Sequence, residues 1–317
     1  MKYGLLSGLL WGLNAVILSI ALGFSVSLDP NTASMATAFL HDASCAIILL
    51  VFMGVRGRLK DTWAALKTRN GRVVMLAALL GGPLGMSGYL AAINNIGPGY
   101  TAIISAFYPA FGTLLAVLVL KEKMKPRQII CLLIALAAVM IMGASSAGAN
   151  ESGNPLIGIF GALLCVFGWG SEAVILAWGM RDEALDNQTA LQIRETTSAL
   201  LYGCIALPLT GSVGAAGSIV SNPGMAVVFL AALAGTTSYL FYYKAIDTIG
   251  AARGMAVNIS YSAWAVIFAF VLTGVVPTAL EVICCIAIMV NTVLSASSDW
   301  SEFALIKKMK LCRHSEA

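Results

Sequence analysis

Ten stretches of predominantly apolar residues follow one another along the chain, at 3–24, 33–55, 73–94, 100–120, 128–147, 155–180, 189–210, 224–246, 251–273 and 277–297. Each is long enough to cross a bilayer core as a helix, which takes about 20 residues. The linkers between them are short, and none has room for a soluble domain. The pattern predicts an all-α integral membrane protein with ten transmembrane helices. The first stretch follows a single Lys2 and, taken alone, also fits a secretory signal. A repeat described below assigns it to the fold instead.

Composition agrees. Hydrophobic residues make up 59% of the chain and charged residues 11%, with a mean hydropathy of +0.88. A soluble domain carries roughly 25% charged residues, so there are too few charges here to cover a water-facing surface. A soluble enzyme, a nucleic-acid binder and a disordered chain are excluded. The net charge of +4 gives no reason to expect a nucleic acid as partner.

The placement of the charges says more than their sum. Arg56, Arg58, Lys60, Lys67, Arg69 and Arg72 fall in one linker, and Lys121, Lys123, Lys125 and Arg127 in another. Arg181 and Arg194 flank the sixth linker and Lys244 and Arg253 the eighth, with Lys2 and a basic tail at the ends. The alternate linkers at 25–32, 95–99, 148–154, 211–223 and 274–276 hold no Lys or Arg. By the positive-inside rule all 19 basic residues mark one face, and both termini are expected in the cytoplasm. The seven cysteines form no CxxC or Cys/His cluster and are read as apolar packing residues.

The chain repeats itself. Residues 11–18 read WGLNAVIL and residues 169–176 read WGSEAVIL, identical at six of eight positions. Tyr89, Ala92, Ile93, Ile96 and Gly97 recur 153 residues later as Tyr242, Ala245, Ile246, Ile249 and Gly250. At the same separation Tyr108 and Phe111 answer to Tyr261 and Trp264, and His41–Asp42 to Arg194–Glu195. The expected organisation is a five-helix repeat at 1–147, a second at 148–297, and a cytoplasmic tail at 298–317. An odd number of spans inverts the second copy. Inverted repeats place a shared site near the midplane and permit inward-open and outward-open states.

Ionisable groups at membrane depth are costly and mark functional sites. Glu172 lies well inside the sixth stretch, with Trp169 on the same helix face; Asn14 and Trp11 are their repeat mates. Tyr239 and Tyr242 recur at helical spacing, as do Asn258, Tyr261 and Trp264. Interfacial aromatic belts explain Tyr3, Tyr100 and Trp300 better than these mid-span rings. One carboxylate among aromatic faces suits a quaternary ammonium, which donates no hydrogen bonds and is held by cation–π attraction. His41, Asp42, Arg194 and Glu195 admit two readings: a polar cluster that fixes packing, or a proton relay or gate. The Gly81-Gly82-Pro83-Leu84-Gly85 run likewise reads as a hinge or as a site of close helix packing. No HExxH, GxSxG or Walker loop occurs, so neither enzyme chemistry nor a metal or other cofactor is expected.

The ten-span, duplicated organisation resembles the EamA-like group of the drug/metabolite transporter superfamily. The KEK run at 121–123 is similar to that group. Seven segments resemble the LicB-type choline importers of bacteria: HD (41–42), GPLGM (82–86), YPA (108–110), WGSEAV (169–174), IRETTS (193–198), SYLFYY (238–243) and NISYSAW (258–264). That resemblance implies a bacterial inner-membrane importer of choline, with uptake coupled to protons. The implied pocket is Trp11, Trp169, Glu172, Tyr239, Tyr261 and Trp264, with Asn258 and Tyr108 beside it. The tail from Ser298 is longer than the resemblance leads one to expect. An exporter of amino acids, metabolites or drugs from the same superfamily is the rival reading, and a homodimer is left open.

Overall fold

The computed structural model of the chain describes residues 1–145, 153–181 and 185–297. The tail at 298–317 and most of the 148–154 linker lie outside the described residues. The elements are α1 (Lys2–Gly23), α2 (Pro30–Val55), α3 (Leu59–Leu66), α4 (Arg69–Gly97), α5 (Gly99–Leu120), α6 (Pro126–Ser145), α7 (Pro155–Gly179), α8 (Asn187–Leu209), α9 (Val213–Val220), α10 (Gly224–Ile249), α11 (Ala251–Thr273) and α12 (Ala279–Ala296). Among the described residues there is no strand.

Nine of these helices are long and apolar enough to cross a membrane, namely α1, α2, α4 to α7 and α10 to α12. The seventh span differs from its expectation. Helix α8 has the length, but Gln192, Arg194 and Glu195 make it less apolar than the other nine; it is apolar enough to cross only together with α9, to which it bends by 120°. The linker at 211–223 is therefore largely helical. Ala215, Ala216 and Ile219 of α9 pack against Ala21, Met35, Ala36 and Val228.

Short polar motifs set the helix starts. Asp29 accepts from the backbone N–H groups of Asn31 and Thr32, and Pro30 opens α2. Asn154 and Pro155 do the same for α7, and Asp186 caps α8. Thr278 and Glu281 form a reciprocal capping box at α12. The KEK run supplies a cap of longer range. Glu122 accepts from Ala251 N–H at 2.8 Å and Ala252 N–H at 3.0 Å, at the start of α11. The carboxylate thereby meets the positive end of a helix and ties the α5–α6 loop to the α10–α11 junction.

Helix α1 packs chiefly on α10 and α11, and α7 packs in the corresponding way on α4 and α5. Backbone features recur at the 153-residue separation. Gly97 (φ 81, ψ 163) and Gly250 (φ 86, ψ 163) share a conformation that excludes a Cβ. Lys121 and Gly274 both end a helix in the left-handed region. Helices α5 and α11 break at Ala106–Phe107 and Ile259–Ser260. Contacts recur too: Gly12 lies against Tyr261 O and Trp264 Cβ, and Gly170 against Tyr108 O and the Phe111 ring.

Candidate functional site

A cavity of about 350 Å³ lies between α1, α2, α4, α5, α7, α8, α10 and α11. Its wall includes Trp11, Asn14, His41, Asp42, Tyr108, Trp169, Glu172, Arg194, Tyr239, Tyr242, Asn258 and Tyr261. The cavity thus gathers residues that lie far apart in sequence. Leu18, Leu22, Ser34 and Ala38 extend the wall toward the α1–α2 loop. On the other side, buried Leu49, Val74, Leu176, Leu185, Leu191 and Ile246 belong to one packed apolar cluster.

Two aromatic groups face the cavity. The Trp11 ring lies 4.8 Å from Tyr239 and meets His41 edge-on at 6.3 Å. The Trp169 ring lies 5.3 Å from Tyr89 and meets Tyr108 edge-on at 5.7 Å. The Trp169 indole N–H donates to Gly81 O at 3.0 Å, which fixes the ring. The breaks in α5 and α11 fall just before Tyr108 and Tyr261 and set both on the wall.

The glycine run resolves toward close packing. Residues 80–84 form one π-helical turn around Pro83. A Cβ on Gly81 would meet the Glu172 carboxylate, and one on Gly82 the Ser198 hydroxyl. Without side chains here, α4 comes close enough to cover the two polar groups.

The ionisable residues form one connected network. Arg194 Nε donates to Glu172 Oε1 at 2.8 Å and Nη1 donates to Glu195 Oε1 at 2.9 Å. Nη1 also lies 3.5 Å from Asp42 Oδ2, which accepts from Ser198 Oγ at 2.7 Å. Asp42 Oδ1 sits 3.1 Å from His41 Nδ1, and His41 Nε2 sits 3.0 Å from Asn14 Oδ1. Three carboxylates therefore share one arginine and one histidine. Buried charges are held only when paired in this way.

Three expectations change. Arg194 does not mark a membrane face: it is 3% exposed, about 10 Å into α8 by helical rise, and is ion-paired. Glu172 is not a lone carboxylate, since Arg194 occupies one of its oxygens. Trp264 is not on the cavity wall. Its Cβ lies over Gly12 and its ring lies 6.3 Å from Phe268, whereas its repeat mate Phe111 places its ring over Gly170. Glu195 is fully buried behind Arg194 and also lies off the wall.

Other wall residues had no signal in the sequence. Ser7 donates to Asn258 Oδ1 at 2.9 Å, and Ser238 donates to Ser7 O at 2.8 Å. Tyr202, buried at the start of a second π-helical turn, also lines the cavity. Small hydroxyls inside apolar stretches are too common to single out. Among the described residues no group of His, Cys, Asp and Glu is placed to hold a metal ion.

A polytopic helical bundle around a largely apolar, ring-lined cavity that carries a buried ionic network fits the architecture of a small-molecule membrane transporter. The chain belongs to the EamA-like transporter family, whose profile matches residues 1–144 and 156–297. Protein LicB of Haemophilus influenzae is 30% identical over 192 residues, which cover 60% of this chain and 63% of that protein. The match thus spans less than two thirds of LicB's length. A solved crystal structure superposes with a TM-score of 0.70 at 16% identity, covering 93% of this chain and 95% of the other. At that identity the likeness establishes the fold alone.

Proposed function

We propose that the chain imports choline or a closely related quaternary amine across a bacterial cytoplasmic membrane, by proton-coupled alternating access. The observation that carries this reading is the pairing of ring faces with an excess of acid. Trp11, Trp169, Tyr108, Tyr239 and Tyr261 line one cavity, with Asp42, Glu172 and Glu195 set against Arg194 as the one permanent cation. An anionic substrate would face unfavourable charge there. A trimethylammonium group finds aromatic faces, each worth up to about 2 kcal/mol when desolvated, and a net negative surrounding. The volume lies within the usual range for ligand pockets, roughly 300–1,000 Å³.

The two five-helix units at 1–147 and 148–297 supply the conformational change. The recurrence of backbone breaks 153 residues apart and of glycine contacts 158 residues apart supports the inverted repeat. With both termini in the cytoplasm, the cavity runs toward the outer face and the packed cluster around Leu176 and Leu191 closes the inner side. Glu172 balances the substrate charge, and His41, Asp42, Arg194 and Glu195 are the coupling or gating groups.

The test is labelled-choline uptake into proteoliposomes, with and without an inward proton gradient. The expected result is uptake that the gradient accelerates, reduced at least about ten-fold in Glu172→Gln, a factor equivalent to ~1.4 kcal/mol. No uptake under either condition, with uptake of neutral metabolites instead, favours the exporter reading of the family.

A further inference from the structure

We infer that Arg194 is a tethered stand-in for the substrate cation, occupying the cation subsite when the carrier is empty and leaving it when substrate enters. The inference rests on the cationic-substrate reading above and deepens it by naming what the substrate must displace.

The geometry is that of a bound cation. The Arg194 guanidinium carbon lies 4.9 Å from the centroid of the Tyr239 ring. Its Nε donates to the Glu172 carboxylate at 2.8 Å. A ring face on one side and a carboxylate on the other is the environment a quaternary ammonium requires. Arg194 lines the cavity, and Tyr239 in turn lies against Trp11. The guanidinium thus uses the same carboxylate and the same ring that the substrate would use.

Displacement is chemically available because a second resting place already exists. Arg194 Nη1 contacts Glu195 Oε1 at 2.9 Å and lies 3.5 Å from Asp42 Oδ2. The second oxygen of Glu195 is buried and has no hydrogen-bond partner. A small rotation of the guanidinium away from Glu172 toward these acids vacates the subsite without stranding a buried charge, which would be strongly unfavourable. The empty carrier stays neutralised at Glu172, the loaded carrier exchanges one cation for another, and the returning guanidinium helps expel substrate. The apparent affinity is reduced by the fraction of carrier in which Arg194 holds the subsite.

The experiment is a choline titration by calorimetry on the purified full-length chain. The variants are Arg194→Lys, Arg194→Gln, and Arg194→Gln combined with Glu195→Gln. The double variant removes one charge of each sign and keeps the interior balanced if the single variant does not fold. The expected result is roughly ten-fold tighter choline binding in the double variant and slower net uptake, with Arg194→Lys, which keeps a competing cation, gaining less affinity than the double variant. A guanidinium that only pins the helices together predicts unchanged or weaker binding in the double variant, and that result overturns the inference while wild-type binding upholds the substrate reading. Choline binding in neither wild type nor variant removes both. In wild-type protein with nitrogen-15 arginine, assigned through Arg194→Lys, the Arg194 Nε–H resonance should shift on choline saturation. A resonance that stays in place also overturns displacement.

Discussion

The indole of Trp169 has two uses, and they separate by substitution. Its ring face borders the cavity, and its N–H fixes α4 through Gly81 O at 3.0 Å. Trp169→Phe keeps an aromatic face and leaves the Gly81 carbonyl without that donor. The expected cost is about 1 kcal/mol of stability, read as a lowered unfolding temperature in detergent, with choline affinity changed less than in Trp169→Ala. Equal loss of affinity in the two variants would show that the N–H, and not the ring, matters to the ligand. At this scale the sequence was informative about chemical type. Trp169, Glu172, Tyr239 and Tyr261 stand out because such groups are costly or unusual in mid-membrane. It was uninformative about pairing. Arg194 and Glu172 are 22 residues apart on different helices, and nothing in their spacing brings Nε to 2.8 Å from the carboxylate.

Two loop contacts carry predictions at the level of elements. Glu122 caps α11 from the α5–α6 loop, so Glu122→Ala should cost about 1–2 kcal/mol, as for a lost helix cap, read by thermal unfolding. An unchanged unfolding temperature would remove the cap from the account of stability. On the same face Asp186 caps α8 and accepts from Arg58 Nη2 at 2.6 Å, joining the α2–α3 connection to the start of α8. Burial works to raise the Asp186 pKa, but hydrogen bonds from Arg58 and Thr189 outweigh it and hold the carboxyl below its ordinary value. A depressed folded-state pKa contributes stability that is present above the ordinary aspartate value of about 4 and is lost as pH falls through the folded-state value. The pair is partly exposed, so its contribution lies within the 0–1 kcal/mol or so of surface pairs. Asp186→Asn should therefore be slightly less stable than wild type near pH 7, with the gap closing below about pH 4. A gap that persists in acid points to lost geometry and not lost charge. The bend between α8 and α9 was not legible beforehand, because α8 trades apolarity for the network it carries.

For the whole molecule, the 153-residue recurrence reaches from sequence into backbone. Gly97 and Gly250 repeat a conformation at that separation, and Gly12 and Gly170, whose surrounding segments align with an offset of 158, repeat a contact. The proposed orientation rests on the remaining basic loops once Arg194 is removed from them, and it is open to a direct test. In a cysteine-free background, a cysteine at Val26 in the α1–α2 loop should react with a membrane-impermeant maleimide in intact cells. One at Lys123, in the α5–α6 loop, should react only after permeabilisation. The reverse pattern would invert the chain and turn the open side of the cavity to the cytoplasm.

The order of the apolar stretches, the recurrence of short segments along the chain and the identity of the polar residues at depth were set by the sequence alone. Bilayer thickness imposes a fixed length on every apolar stretch, and burial makes each exception conspicuous. Which exceptions meet was decided by tertiary structure. Trp264 and Trp11 look alike along the chain, yet one lies off the cavity, with its Cβ over Gly12 and its ring beside Phe268, and the other faces the cavity. Glu172 looks solitary and is paired. These outcomes depend on how closely glycine-bearing helix faces approach and on which direction each side chain takes from its backbone, and both are properties of packed helices.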